Sequence, residues 1–287
     1  MGAWLRPLRP LPLDGLPRNG RMSEKHTYRL EPIPPMRRFS IDAGYLGRRR
    51  HIVHGLIEVD VTDARELIRE HERETGQKLS FTAFVIYCLS RAIDKHPHVH
   101  AYRDWRNRLV IYDDINITSM FEVEFGEKKT PMPHVFRSTN RKSLLQIHDE
   151  LRDTQTKPHA STEAGFMRWF LFLPAFLRRA FYWLIMKFPQ SFRELSSSVM
   201  VTAVGMFGRG SGWAITMPNF TLNIAVGGIS QKPGVHRGEI AIREFVDLTV
   251  SIDHDVVDGA PAARFVQTLR ALLEAASGLW DLKPAAE

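Results

Sequence analysis

Cysteine is nearly missing from this chain: 287 residues hold one, Cys88. That excludes a disulfide framework and any cysteine-rich zinc site, and it fits a reducing cytoplasm. Cys88 lies in the apolar run from Phe84 to Leu89, which predicts a buried structural thiol rather than a nucleophile. The sequence also lacks a run of about 20 apolar residues free of charge, so no membrane-spanning helix is expected. Acids are scarce in the first 35 residues, where Arg6, Arg9, Arg18, Arg21 and Arg29 stand among many prolines. No stretch there is apolar for long enough to be a signal peptide. Arg6 occupies the place where a myristoylation signal needs Ser or Thr. Residues 1–34 therefore read as a basic, Pro/Arg-rich disordered tail, with Met22 as an alternative start. Internal repeats and low-complexity blocks are absent.

What is present supports an ordinary globular core, with 44% apolar and 25% charged residues. The net charge of +7 favours anionic partners without naming one. From His51 onward, strands and helices alternate. Val53, Ile57, Val59 and Val61 share one face of an extended run. Thr62-Asp63 then starts a helix that ends at Gly76, and a second, more apolar helix runs from Thr82 to Lys95 and stops before Pro97. Strands are expected at 109–112 and 115–125, and a helix at 143–153. After residue 198 the pattern turns β-rich, through 222–226, 240–242 and 246–252. Pro261 opens a last helix with Phe265, Leu269, Leu272 and Leu273 facing inward. The expectation is a single mixed α/β domain.

Residues 166–188 stand apart: aromatic-rich and apolar, yet broken by Pro174 and carrying Arg168, Arg178, Arg179 and Lys187. Two short helices around Pro174 are expected. They would cover a core or a subunit contact, lie in the plane of a membrane surface, or form an acyl-chain tunnel. Gly205, Gly208, Gly210 and Gly212 form a glycine-rich loop, but no Lys-Ser/Thr follows it as a phosphate loop requires, so a tight turn is expected. His96, His98 and His100 alternate around Pro97 without a carboxylate at ligand spacing, and no metal site is assigned. Arg48-Arg49-Arg50-His51 is a short basic run without interleaved aromatics and reads as a solvated face, not a nucleic-acid site.

The informative stretch runs from Val246 to Pro261 and contains His254-Asp-Val-Val-Asp258-Gly259. Alternation along a strand puts Val246, Leu248, Val250 and Ile252 on one face, which His254 continues at the strand's end. Apolar surroundings would favour the neutral imidazole, the form that acts as a general base when its other nitrogen has a fixed partner. As a bare pattern this motif is weak. A core histidine bonded to backbone, with Asp258 capping the next helix, accounts for it equally well.

The longer segment, Ser251 to Phe265, closely resembles the active-site segment of the catalytic domain of 2-oxoacid dehydrogenase acyltransferases, the dihydrolipoamide acyltransferases of the chloramphenicol acetyltransferase superfamily. Thr202-Ala-Val-Gly-Met-Phe-Gly208 is similar to the family's hydroxyl-bearing strand and glycine turn, and Gly227 to Pro233 to the strand and loop that follow. Met36-Arg37-Arg38, Glu58 to Thr62 and Asn140 to Leu144 are similar to its opening helix, first strand and middle helix. The resemblance implies one α/β catalytic domain over residues 35–280, a chloramphenicol acetyltransferase-like mixed sheet flanked by helices, with an atypical apolar insertion at 164–190. It also implies a homotrimer, or a multiple of three, with active sites between subunits. His254 would then be the general base and Thr202 the donor to the tetrahedral oxyanion. Asp258 would hold the loop by pairing with Arg37, or else Arg38, and Gly259 would make the motif turn. No covalently bound cofactor is implied.

Departures from the family shape the rest. No lipoyl domain precedes the core in this sequence, so the expected co-substrate is acyl-CoA rather than a tethered lipoyl group, with a thiol, hydroxyl or amine as acceptor. Asp255 stands where the dehydrogenase enzymes usually carry Arg, and residues 125–133 replace the family's acidic-Gly substrate loop. These changes keep two alternatives open. One is a non-catalytic trimeric scaffold or complex-assembly protein. The other is a membrane-peripheral acyltransferase that meets lipid-like substrates through residues 166–188. The expected location is cytoplasmic or peripheral to a membrane.

Overall fold

The structure is a computed structural model of one chain, and it describes residues 29, 31–34, 37–125, 128–156, 170, 172–191, 197–205, 210–217 and 219–282. The expected tail at 1–34 lies almost wholly outside the described residues. So do most of the segment before Pro174, and Gly208.

Among the described residues, eight strands and six α-helices make the domain. In chain order they are α1 (Arg37–Gly47), β1 (Ile52–Asp60), α2 (Thr62–Thr75), α3 (Phe81–Lys95), β2 (Tyr102–Arg103), β3 (Leu109–Val110), β4 (Ile117–Phe125), β5 (Lys128–Phe136) and α4 (Leu144–Thr156). Then follow α5 (Ala175–Lys187), β6 (Val199–Ala203), β7 (Leu222–His236), β8 (Glu239–Asp253) and α6 (Gly259–Glu274). Six strands form one sheet in the order β1-β8-β7-β6-β4-β5. The β6 strand runs parallel to both neighbours and every other pair is antiparallel, so the sheet is mixed, as expected.

The helix boundaries follow local chemistry. Asp60 accepts hydrogen bonds from the Thr62 amide and hydroxyl at the start of α2, and Gly76 ends it at φ +73°, a left-handed conformation that glycine adopts without steric cost. The Ser80 hydroxyl accepts from the Ala83 amide and caps α3. One face of the sheet carries Ile117, Val199, Val201, Leu222, Ile224, Val246, Leu248, Val250 and Ile252, all buried with α2, α3, α4 and α6 side chains in one core. Cys88 is fully buried there, its Sγ 3.7 Å from the Leu272 carbonyl oxygen, and burial pushes its thiol pKa up. It is the inert thiol expected.

Besides β5, which falls where residues 125–133 were expected to replace a loop, two features were not legible in the strand pattern. The first is that β7 and β8 are 15-residue strands joined through Arg237-Gly238, so the expected short strands at 222–226, 240–242 and 246–252 are parts of one long hairpin. The second is the anchoring of α5. After Pro174 the apolar segment does form a helix, and Arg178 and Arg179 both donate to the carboxylate of Asp42 on α1, at 2.7 and 3.1 Å. The Asp42 and Arg178 side chains are 1% and 6% exposed. Removing one partner from such a pair leaves an uncompensated buried charge, which costs about 3–5 kcal/mol.

Candidate active site

Both strand alternation and the motif turn position His254. The register places Ile52 opposite Asp253, so β8 ends beside the entry to β1. The chain around His254 is clamped. Its amide donates to the His51 carbonyl oxygen at 2.8 Å, the Asp253 amide donates to Thr221 at 2.9 Å, and the amides of Val256 and Val257 donate back to the Asp253 carbonyl oxygen. The side chain is not enclosed. His254 is exposed in the single chain, outside the strand, where apolar surroundings were expected. The physical reason is that residues 246–253 are buried on both faces, so alternation ceases to report burial just where the strand stops. Among the described residues no side chain hydrogen-bonds the His254 ring.

The charged groups beside it form a compact lattice. Arg50 donates to Asp253 at 2.8 Å, with side chains 13% and 7% exposed. Asp255 meets His51 Nδ1 at 2.9 Å and Arg103 at 3.2 Å. The His51 hydrogen bond, with Arg103 and Arg50 nearby, holds the Asp255 carboxyl below the usual carboxylate range. The acid that replaces the family's arginine is therefore neutralised locally, by residues that sequence reasoning assigned no role. Only the basic run 48–51 hinted at them.

The remaining site residues are placed as follows. Asp258 is the N-cap residue of α6, extended and exposed, and its side chain makes no cap hydrogen bond. Gly259, expected to make the motif turn, is instead the first residue of that helix, which opens two residues before Pro261, and the turn lies at 254–256. Arg37 is exposed at the start of α1. The expected Arg37–Asp258 ion pair does not form within one chain; the arginines that reach this turn are Arg50, on Asp253, and Arg103, on Asp255. The cause is connectivity: α1 ends at Gly47, and the four residues after it lead into β1 beside the end of β8.

Thr202 is half-buried on β6, on the sheet face opposite the apolar core. It lies level with Ala225 on β7 and Thr249 on β8. His254 is five residues beyond Thr249, which is about 17 Å along the strand direction. One chain therefore does not bring Thr202 and His254 together. Thr202's end of the sheet is shaped by backbone packing. A Cβ on Gly228 would fall 1.8 Å from the Gly210 carbonyl oxygen, and one on Gly227 would fall 2.1 Å from that of Gly212. Buried Asp247 accepts from the Ser211 hydroxyl at 2.6 Å and the Gly212 amide at 2.5 Å. Residues 210–212 thus lie against the bulge between β7 and β8.

At the His254 end of the sheet, His100 is 3% exposed, with Nδ1 3.5 Å from the Ser198 hydroxyl oxygen. Burial lowers its pKa to about 4, against an ordinary value of 6.5. The unfolded chain therefore binds this proton first, so stability falls as pH drops from about 6.5 towards 4. Between pH 7 and 4.5 the wild type should lose roughly 2–3 kcal/mol more than a His100→Asn variant, read by urea unfolding at both pH values. Equal losses would remove His100 as a buried neutral group. His96 instead meets the Thr268 hydroxyl oxygen at 2.8 Å, and among the described residues no three His, Cys, Asp or Glu side chains gather to hold a metal ion.

The chain matches the family 2-oxoacid dehydrogenases acyltransferase (catalytic domain) over residues 50–163 and 190–280. It belongs to that acyltransferase family. One relative is the dihydrolipoyllysine-residue acetyltransferase component of the pyruvate dehydrogenase complex of Corynebacterium glutamicum, 24% identical over 241 residues, which are 79% of this chain and 31% of that protein. The chain spans about a third to a half of the length of the curated relatives it matches. Among solved structures, the cubic core of the pyruvate dehydrogenase multienzyme complex superposes with a TM-score of 0.66 at 17% identity, covering 92% of this chain and all of that one. Dihydrolipoamide acetyltransferase of Azotobacter vinelandii gives 0.66 at 18% identity with the same coverage. These likenesses bear out the mixed sheet with flanking helices. The family match skips residues 164–189, which include α5.

Proposed function

We propose that this acyltransferase-family chain moves an acyl group from a thioester, acyl-CoA in its free form, to a thiol, hydroxyl or amine acceptor, at a site built where two copies of the chain meet. The observation that carries the reading is the pairing of an exposed His254, clamped at the end of β8, with a Thr202 that its own chain holds far away. The mechanism of the Azotobacter vinelandii enzyme was investigated through a serine, a histidine and an asparagine. The intervals between those three equal the intervals between Thr202, His254 and Asp258 here. A trimer gives each His254 a neighbour's Thr202.

In that site the acceptor's proton passes to the His254 imidazole as the acceptor atom bonds the thioester carbon. The carbonyl oxygen becomes an oxyanion, and the neighbour's Thr202 hydroxyl donates to it. Collapse breaks the carbon–sulfur bond, and the departing thiolate takes the proton from the imidazolium. No acyl-enzyme forms. Asp255 argues less strongly for a non-catalytic scaffold than its sequence position suggests, because Arg103 pairs with it and His51 hydrogen-bonds it.

The test is the purified full chain, offered a panel of acyl-CoAs with thiol, hydroxyl and amine acceptors and a thiol-trapping dye. CoA release that depends on the acceptor is expected for at least one donor. A stable oligomer that neither releases CoA nor shifts its melting with any donor would favour the scaffold.

A further inference from the structure

The α5 helix is apolar on two sides. Its inner side is accounted for: Arg178 reaches Asp42, and Phe181 and Tyr182 pack on Phe170 with ring centroids 5.2 and 5.4 Å away. The opposite side presents Phe176, Leu177, Ala180, Trp183 and Leu184 at helical spacing, all exposed, with Phe176 at 69% and Trp183 at 46%. Phe172, just before the helix, is 82% exposed. A helix that is hydrophobic all round ordinarily has both faces covered.

The surroundings say what covers this one. Between residues 164 and 193 the sequence has no Asp or Glu and five cations, Arg168, Arg178, Arg179, Lys187 and Arg193. The neighbouring α1, tied to α5 through Asp42, has an outer stripe of the same kind. Ile41 and Tyr45, 49% and 41% exposed, sit between exposed Arg37 and Arg38 at one end and exposed Arg48 and Arg49 just past the other. Arg179 lies over the Tyr45 ring at 4.1 Å and joins the two stripes. Aromatic and aliphatic side chains flanked by cations, with the one acid of the two helices, Asp42, buried, match an anionic bilayer surface. Two copies meeting through this face would set the same arginines against one another. Neither helix is long and apolar enough to cross a membrane. The family match begins at residue 50 and skips 164–189, so neither helix falls within it.

We propose that the outer faces of α1 and α5 dock this protein on an anionic phospholipid surface. Phe172, Phe176 and Trp183 enter the boundary between headgroups and acyl chains, and the arginines flanking α1, with Lys187, face the lipid phosphates. The inference stands apart from the acyl-transfer reading, since docking needs neither His254 nor Thr202.

The full chain is mixed with sedimenting vesicles of phosphatidylcholine alone, or of two parts phosphatidylcholine to one part phosphatidylglycerol. Wild type should be recovered with the mixed vesicles and at least about tenfold less with phosphatidylcholine alone. Phe176→Glu with Trp183→Glu, and separately Arg48→Glu with Arg49→Glu, should each cut recovery by about tenfold or more while melting and oligomer size stay unchanged. Recovery equal in all variants, or no wild-type recovery on anionic vesicles, overturns the proposal. If light scattering shows the Phe176/Trp183 variant in smaller assemblies and wild type ignores vesicles, the face lies between copies instead.

Discussion

Replacing His254 with alanine is expected to lower acceptor-dependent CoA release by about a thousandfold, since a positioned general base contributes typically 10²–10⁴. The loss should fall on kcat, because the ring acts on a proton in flight rather than on binding of the donor. Folding should be untouched. The side chain is exposed and has no hydrogen-bond partner among the described residues, while the turn is held by backbone bonds from His254 to His51 and from Val256 and Val257 to Asp253. An unchanged melting temperature with a collapsed kcat is therefore the expected signature. Turnover that survives the change would take His254 out of the mechanism.

Thr202→Val should cost nearly as much, about 10²–10³ in kcat, the usual loss when one oxyanion donor is removed. The substitution keeps the branched shape on β6 and deletes only the hydroxyl. Thr202→Ser restores the donor and should stay within about tenfold of wild type, its freer rotamer being the difference. A structural role for Thr202 predicts the reverse order, with valine tolerated in a strand and serine less so. Steady-state kinetics on the two variants separates these cases.

How much of this was legible in the sequence depends on range. Local chemistry was readable: the start of α2 after Asp60, its stop at Gly76, α3 ending before Pro97, and α6 opening after the motif turn. Each rests on a cap or breaker within a few residues. The β7–β8 hairpin was read as fragments because its outer half has no core beneath it. Val235, Ile240 and Ile242 are 79%, 81% and 75% exposed, so nothing imposed an inward–outward pattern there. The site was legible in its residue types and not in its contacts. Arg50 and Asp253 stand 203 residues apart and meet because β1 pairs with β8, and Asp42 meets Arg178 across 136 residues of chain. Such pairs depend on register and docking, which no local pattern encodes. The separation of Thr202 from His254 is of the same kind, being a consequence of three strand registers read in series.

The central claim is that one active site draws its base and its oxyanion donor from different copies. Co-expressing differently tagged His254→Ala and Thr202→Val chains and purifying the mixed assemblies tests it most directly. Each variant alone is nearly inactive, but a mixed assembly contains contacts where an intact His254 faces an intact Thr202. In each purified mixed trimer one site in three is whole, so about a third of wild-type turnover should return. Activity in the mixture no greater than the average of the two variants would contradict the account, placing both groups within one chain or outside the chemistry.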